Sequence, residues 1–195
     1  MGKETSKAVA RRLHDIRFAT RYFKGKGIDI GCGPDPLSQY QEFFPLVESI
    51  ESWDKPEGDA QFMESVADEA FDFVHSSHCL EHLVDPKEAL KNWWRILKPR
   101  GHLVVVIPDE DLYEQGEFPS FNRTHRHTFT INKQRSWCAD SLNLIDLLKG
   151  FSSEARILKI ELLDASFRYQ LERQDQTRTP IGESAIEFIV QKGHL

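Results

Sequence analysis

Apolar and polar positions repeat with two different periods along the chain, and their alternation predicts an α/β fold. Short apolar or alternating runs predict strands at residues 27–30, 47–53, 71–77 and 102–107. Apolar residues at helical spacing predict helices at about 6–24, 36–44 and 86–97, and one or two helices within 132–150. Strands that alternate with helices are typical of a parallel sheet with helices on its faces.

The second half of the chain adds two features to this pattern. Residues 154–163 and 184–191 read as strands with no helix between them, which predicts an antiparallel pair. Residues 109–131 have no convincing period and are rich in aromatic and polar side chains, which is typical of a functional loop. We therefore expect one domain over 1–195, with an N-terminal helix at about 6–24 and a substrate-loop insertion at about 109–131.

The first predicted strand runs into a glycine turn, with Gly-Ile-Asp-Ile-Gly-Cys-Gly at residues 27–33. Gly31 and Gly33 permit positive φ and let a ligand approach the backbone. Pro36 stands where a dinucleotide-binding fingerprint has its third glycine, which argues against a pyrophosphate at this turn. Asp54 follows the second strand about twenty residues later, where an acid can accept both hydroxyls of a ribose, with Glu51 as the alternative. The pattern suits a nucleoside with a cationic or amino-acid tail.

Composition narrows the classes of partner. The chain has 195 residues, a formal net charge of −6 and a pI of about 5.8, which disfavours a nucleic-acid binder. Cys32, Cys79 and Cys138 are odd in number and widely spaced, so neither a disulfide framework nor a zinc ribbon is indicated. No apolar run reaches the length of a membrane span. These features predict a soluble, cytoplasmic protein that does not bind nucleic acid.

Four segments together resemble the class I S-adenosylmethionine-dependent methyltransferases of the methyltransferase type 11-like group. They are Ile-Asp-Ile-Gly-Cys-Gly at 28–33, Phe-Asp-Phe-Val at 71–74, His-Cys-Leu-Glu-His-Leu at 78–83 and Leu-Lys-Pro-Arg-Gly-His-Leu at 97–103. Arg100 departs from the family, which usually has a second glycine there. The resemblance implies a Rossmann-like, doubly wound sheet of seven strands, mostly parallel with the last strand antiparallel. It also implies S-adenosylmethionine as cofactor and S-adenosylhomocysteine as product.

The resemblance also implies roles for residues on the donor side. Asp29 would orient the glycine turn and contact the methionine ammonium, directly or through water. The turn itself would admit the methionine and ribose, and Asp54 would bind the ribose hydroxyls. The remaining cofactor-binding candidates are Gly31, Cys32 and Gly33 in the turn, Asp59 and Ala60 at the adenine edge, and Ser76, Ser77 and His78 on the methionine side. Asp59 also fits a simple turn residue, and His78 a helix cap.

Methyl transfer to a hydroxyl needs a base, and histidine is the natural one near neutral pH. The candidates are His125 and His127 in the long loop, and His78 after the third strand. His125 and His127, with Asp109 or His78, also have donor types that suit a divalent metal. The family commonly has a histidine at the helix start within 78–83, which disfavours a metal there. We therefore predict no metal, with a divalent metal at His125 and His127 as the alternative.

The acceptor is suggested by a weaker likeness. Residues 11–23, 109–116 and 125–130 are similar to small methyltransferases of bacterial surface-glycan gene sets. This likeness favours O-methylation of a sugar or glycan-linked intermediate. The alternatives are a methyltransferase acting on another small molecule at O, N or C, and a non-catalytic S-adenosylmethionine-binding sensor or partner subunit.

Overall fold

The computed structural model describes residues 3–151, 155–179 and 182–193. Glu154, the first residue of one predicted strand, lies outside the described residues, as do the chain ends of the predicted domain. The helices are α1 (Glu4–Arg12), α2 (Pro86–Arg95) and α3 (Leu144–Leu148). The strands are β1 (Gly25–Ile30), β2 (Val47–Trp53), β3 (Phe71–Ser77), β4 (Leu97–Pro108), β5 (Thr128–Thr130), β6 (Ser141–Asn143), β7 (Ala155–Leu163) and β8 (Ala185–Lys192).

The main sheet has the strand order β2-β1-β3-β4-β8-β7. The first four strands are parallel, whereas β8 runs antiparallel to both β4 and β7. The predicted α/β class and the antiparallel final pair are therefore confirmed. In β4, residues 101–108 are all buried, as expected for a central strand covered on both faces. The parallel strands β1 and β3 end side by side at one edge of the sheet, where ligands bind in open α/β folds.

The prediction of seven strands was wrong, because the main sheet contains six strands among the described residues. Residues 54–70, which connect β2 to β3, form turns rather than a further strand. Their backbone carbonyls are bound by α2: Trp93 Nε1 donates to the Ala60 carbonyl at 2.8 Å, and Asn92 Nδ2 donates to the Gln61 carbonyl at 3.1 Å. These side chains satisfy backbone groups that a strand would have paired.

The N-terminal helix is also shorter than the helix at about 6–24 that the spacing of apolar residues predicts. The chain leaves α1 after Arg12 and resumes as a π-helical turn at Phe18–Tyr22. Between them, the Asp15 carboxylate accepts bonds from the Arg17 backbone and guanidinium. This local hydrogen bonding offers the backbone an alternative to the helix. Leu13 and Ile16, apolar residues within the predicted helix, are exposed.

Two other predicted helices are reduced. Residues 36–44 form a 3-10 helix at Leu37–Phe43. Within 132–150 only α3 is helical, and β6 pairs in parallel with β5 as a separate two-stranded sheet. The long loop contributes β5 and a π-helical turn at Glu110–Glu114, so it is more ordered than its lack of period suggested.

Candidate functional site

A cavity of about 390 Å3 opens at the carboxyl ends of β1 and β3. Five parts of the chain enclose it: the start of α1, the glycine turn, the segment after β3, the long loop, and a turn before β8. Its lining residues are Glu4, Thr5, Gly31, Cys32, Gly33, Pro34, Asp35, Ser77, His78, Glu81, His82, Tyr113, Asn122, His125, Thr177 and Arg178. The glycine turn and two of the three histidine candidates therefore face the same space.

Asp29 fixes the shape of the glycine turn. Its carboxylate is 1% exposed, and Oδ2 accepts the Leu37 backbone N–H at 2.7 Å, which ties the turn to the helix that follows. Oδ1 lies 2.6 Å from His75 Nδ1. Both carboxylate oxygens thus have protein partners. This arrangement supports the orienting role proposed for Asp29 more directly than a contact with the cofactor.

A buried polar chain holds Asp29 in place. Arg12 Nη1 lies 2.9 Å from His75 Nε2. Because a guanidinium only donates, Nε2 accepts and Nδ1 carries the proton that is donated to Asp29. Burial lowers the pKa of His75, which is consistent with this neutral ring. Arg12 Nε in turn donates to Glu187 Oε1 on β8 at 3.0 Å. The chain connects β8 to the glycine turn across three strands.

The backbone of the turn fits the close approach of a cofactor. Gly31 and Gly33 have φ of 70° and 53°, in the region that favours glycine. A Cβ built on Gly31 would lie 2.4 Å from Cys79 Sγ, so this glycine is required by packing. A Cβ on Gly33 would meet no heavy atom within 4 Å, so Gly33 presents bare backbone to open space. S-adenosylmethionine, when bound, supplies a methyl group on a positively charged sulfur.

Asp54 stands beside this turn. It directly follows Trp53, whose carbonyl accepts the N–H groups of Gly31 and Cys32 at 2.8 and 3.3 Å. Asp54 is half-buried, and its Oδ1 accepts the Lys55 N–H, but it is not among the residues lining the cavity. Cys32 does line the cavity. Burial, followed by the charges of Asp29 and Asp54, raises the pKa of its thiol to about 11, so Cys32 stays protonated at neutral pH.

The other donor-side candidates divide into two groups. Asp59 and Ala60 lie outside the cavity lining, where Asp59 Oδ1 accepts the Gln61 N–H in a turn. Ser76 is fully buried, and its hydroxyl donates to the Ile30 carbonyl at 2.9 Å. Ser77 alone of these four lines the cavity. The structure thus brings the glycine turn together with Ser77 and His78, and places Asp59, Ala60 and Ser76 elsewhere.

The three histidine candidates also separate. His78 lines the cavity with φ of 53°, and its Nε2 is buried without a hydrogen-bond partner among the described residues. His125 lines the cavity as well, and its Nδ1 lies 2.9 Å from Glu114 Oε1. His127 is not a lining residue, and its Nε2 lies 3.3 Å from the Val84 carbonyl. Two histidines therefore face the cavity. The part of the lining away from the glycine turn is called the acceptor side below, and it consists of His78, Glu81, His82, Tyr113, Asn122, His125, Thr177 and Arg178.

Sequence reasoning missed several residues of the acceptor side. Glu114, the partner of His125, is fully buried, and its pKa is raised well above the usual range by burial and then by the charge of Glu81. Glu81 adjoins His82 in a motif that was already recognised, so its acidic side chain was a usable signal. Thr177 and Arg178 come from a polar segment without any period, and no sequence signal pointed to them.

Within the part of the chain that the structure describes, no helix is both long and apolar enough to cross a membrane.

Comparison with known proteins agrees with this geometry. Residues 1–142 match a family model described as a methyltransferase domain. No curated protein matches the chain.

Among solved structures, an S-adenosylmethionine-dependent methyltransferase from Archaeoglobus fulgidus has 18% identity and a TM-score of 0.59, with 98% of this chain and 95% of that one covered. One from Thermotoga maritima has 21% identity and a TM-score of 0.56, with 96% and 90% covered. The N-methyltransferase NodS from Bradyrhizobium japonicum has 12% identity and a TM-score of 0.55, with 97% of each covered. At these identities the likeness establishes the fold alone. The family match spans most of the chain, which therefore belongs to the methyltransferase-domain family and is an S-adenosylmethionine-dependent methyltransferase.

Proposed function

We propose that this enzyme methylates a hydroxyl group of a sugar or glycan-linked intermediate. One observation carries the proposal: His78 and His125 face the same cavity as the glycine turn, and the Nε2 atom of each makes no hydrogen bond among the described residues. A hydroxyl must lose its proton as its oxygen attacks the methyl carbon, and an unpaired imidazole nitrogen can accept that proton.

The pairing of His125 with Glu114 supports this role. A carboxyl oxygen that accepts the Nδ1 proton fixes the imidazole tautomer and leaves the Nε2 lone pair available, whether or not the other oxygen of Glu114 is protonated. His78 has only a weak contact at Nδ1, 3.4 Å from the Ser77 hydroxyl. Both rings adjoin Tyr113, with ring centroids 5.3 Å from His78 and 6.1 Å from His125. The two nitrogens therefore belong to one cluster on the acceptor side.

The lining also favours a polar acceptor. Asn122, Thr177 and Arg178 place amide, hydroxyl and guanidinium groups around the cavity, and Tyr113 adds a ring face. These groups match the many hydroxyls and the apolar ring faces of a sugar. We extend the proposal to the donor side, where Asp29 orients the turn and Asp54 binds the ribose. We also propose a cytoplasmic location, since all three cysteines are free thiols.

An amine acceptor is the second candidate. Glu4 and Glu81 both line the cavity, and carboxylates there would attract an ammonium group. The two acceptor classes differ in product: a methyl ether in one case and a methylated amine in the other.

The test is a transfer assay with the purified full chain and labelled methyl donor, using a panel of methyl glycosides, nucleotide sugars and small amines. We expect a methyl ether on a sugar as the product, identified by mass spectrometry. For that sugar, His78→Asn or His125→Asn should lower kcat by about 10²–10⁴-fold, the usual contribution of a positioned base. Affinity for S-adenosylhomocysteine, measured by calorimetry, should change little.

His127→Asn is the matched control, because it removes a histidine from the same loop outside the cavity lining. Its kcat should equal that of the wild type. Methylation of amines alone, or full turnover in both cavity variants, would contradict the proposal.

A further inference from the structure

Glu81 is a buried acid whose carboxylate makes no hydrogen bond within the part of the chain that the structure describes. It lies in the 3-10 turn at Leu80–His82 that follows β3, and its side chain has no exposed surface. Both carboxylate oxygens are buried and make no hydrogen bond among the described residues. An unpaired ionised carboxylate in a protein interior is strongly disfavoured, so buried acids are paired or coordinate metals. Glu81 is also one of the residues that line the cavity.

The imidazole rings of His82 and His125, beside Glu81, are each held in orientation by a hydrogen bond at Nδ1. The Thr124 hydroxyl donates to Asn122 Oδ1 at 2.7 Å, so it accepts from His82 Nδ1 at 3.0 Å. His125 Nδ1 is bonded in the same way by Glu114 Oε1. In each ring the Nδ1 proton is held by an oxygen, which leaves the Nε2 lone pair free. Metal-binding histidines almost always have this second hydrogen bond, which sets the tautomer.

The three side chains converge. Glu81, His82 and His125 each offer one ligand atom, and all three atoms lie within 4.8 Å of one another. His82 Nε2 lies 3.8 Å from Glu81 Oε1, and the two imidazole rings are 4.8 Å apart at 84°. Ligands about 2.0–2.2 Å from a shared ion lie about 3–4 Å apart. Small side-chain rotations would therefore bring all three into bonding distance.

We infer that Glu81, His82 and His125 bind one divalent transition-metal ion at the wall of the methyl-transfer cavity. Two imidazoles and one carboxylate favour Mn²⁺, Fe²⁺, Co²⁺ or Zn²⁺ over Mg²⁺ and Ca²⁺, which prefer oxygen ligands. These three ligands differ from the set that the sequence suggested, which was His125 and His127 with Asp109 or His78. His127 lies outside the lining, and Asp109 is occupied in accepting the N–H groups of Asp111 and Leu112.

Three protein ligands would leave open positions on such an ion, and all three ligand residues line the cavity. This step rests on the proposed hydroxyl acceptor and specifies its chemical class. Two adjacent hydroxyls of a sugar would occupy two open positions on the ion. The ion would lower the pKa of the bound hydroxyl. The hydroxyl proton would pass to His78 Nε2 as the oxygen forms its bond to the methyl carbon. The carbon–sulfur bond would break with its electron pair left on sulfur.

The test measures binding of MnCl2 and CoCl2 alone to the purified, metal-stripped full chain, by calorimetry and, for Co²⁺, by visible absorption. We expect one ion per chain in the wild type. Glu81→Gln and His82→Asn should weaken binding by at least about tenfold, and so should Glu114→Gln, because removing such a supporting partner costs about 10–100-fold in metal affinity. His127→Asn should bind as the wild type does.

A second measurement separates binding from folding. Glu81→Gln removes a buried carboxyl group that makes no hydrogen bond among the described residues, so the metal-free variant should unfold at the same temperature as the wild type or higher. Added Co²⁺ should raise the unfolding temperature of the wild type and leave that of Glu81→Gln unchanged. Absence of ion binding in the wild type, or equal binding by Glu81→Gln and His127→Asn, would overturn the inference.

The outcomes also distinguish this inference from the proposed function. Sugar methylation at full rate in metal-stripped enzyme, with chelator present, would overturn the metal site and leave the hydroxyl acceptor standing. Stoichiometric Co²⁺ binding that depends on Glu81, with methylation of amines alone, would support the metal site and refute the acceptor.

Discussion

Gly31 and Gly33 have similar backbones but different surroundings, so replacing each by alanine should have different effects. Both have positive φ, where an alanine costs about 1–2 kcal/mol. At Gly33 nothing lies within 4 Å of the added Cβ, so the backbone strain is the whole cost. At Gly31 the Cβ would lie 2.4 Å from Cys79 Sγ and 2.5 Å from its Cβ, and such overpacking costs about 1–3 kcal/mol more. We expect losses of about 1–2 kcal/mol for Gly33→Ala and about 2–5 kcal/mol for Gly31→Ala.

Cofactor binding should separate the two variants further. The methyl group of Gly33→Ala points into the open space through which a cofactor would contact the turn. Its affinity for S-adenosylhomocysteine should fall by at least about tenfold, which corresponds to about 1.4 kcal/mol. Urea denaturation gives the stability of each variant, and calorimetry with S-adenosylhomocysteine gives the affinity. Unchanged affinity in Gly33→Ala, or equal stability in the two variants, would refute this account of the turn.

Two further predictions concern buried polar contacts. Arg12 holds the pKa of Glu187 well below its usual range, so this pair stabilises the fold above about pH 4.5 and its contribution is lost as the pH falls below that value. Glu187→Gln leaves Arg12 with an uncompensated buried charge and should cost about 3–5 kcal/mol in urea denaturation at pH 7, with a smaller difference from the wild type at low pH. Trp93→Phe leaves the Ala60 carbonyl without its donor and should cost about 1–3 kcal/mol, whereas Trp94→Phe, which removes no such bond, is the control.

The donor side was largely predictable because its residues lie close together in the sequence. The bounds of β2 and β3 agree with the predicted strands, and each strand is followed by polar residues, Asp54 after β2 and His78 after β3. The glycine turn lies within one short segment, and its local signals agree with its tertiary role. The absence of a seventh strand could not be predicted in this way. The Ala60 carbonyl, which a strand would have paired, is instead bound by Trp93, which lies on a helix distant in the sequence.

The acceptor side was less predictable because distant segments assemble it. His125 was identified as a candidate, but its partner Glu114 is eleven residues away and reads in the sequence as an ordinary loop acid. Arg178 enters the cavity from a segment with no recognisable pattern. The prediction of a long N-terminal helix was wrong for a related reason. The helical spacing of Leu13 and Ile16 does not show whether other apolar side chains pack against them, and both are exposed.

The buried carboxyl groups on the two sides of the cavity differ in how completely they are hydrogen-bonded. On the donor side, Asp29 has protein partners at both oxygens, so the glycine turn is held in shape before any ligand binds. On the acceptor side, both oxygens of Glu81, one of Glu114 and Nε2 of His78 make no hydrogen bond among the described residues. Each buried polar atom without a hydrogen bond lowers the stability of the fold, so the stability of the fold does not explain why several lie in one place. Their clustering at the cavity wall is explained if these atoms are satisfied by what the enzyme binds, which makes the acceptor side, rather than the glycine turn, the part that determines the substrate.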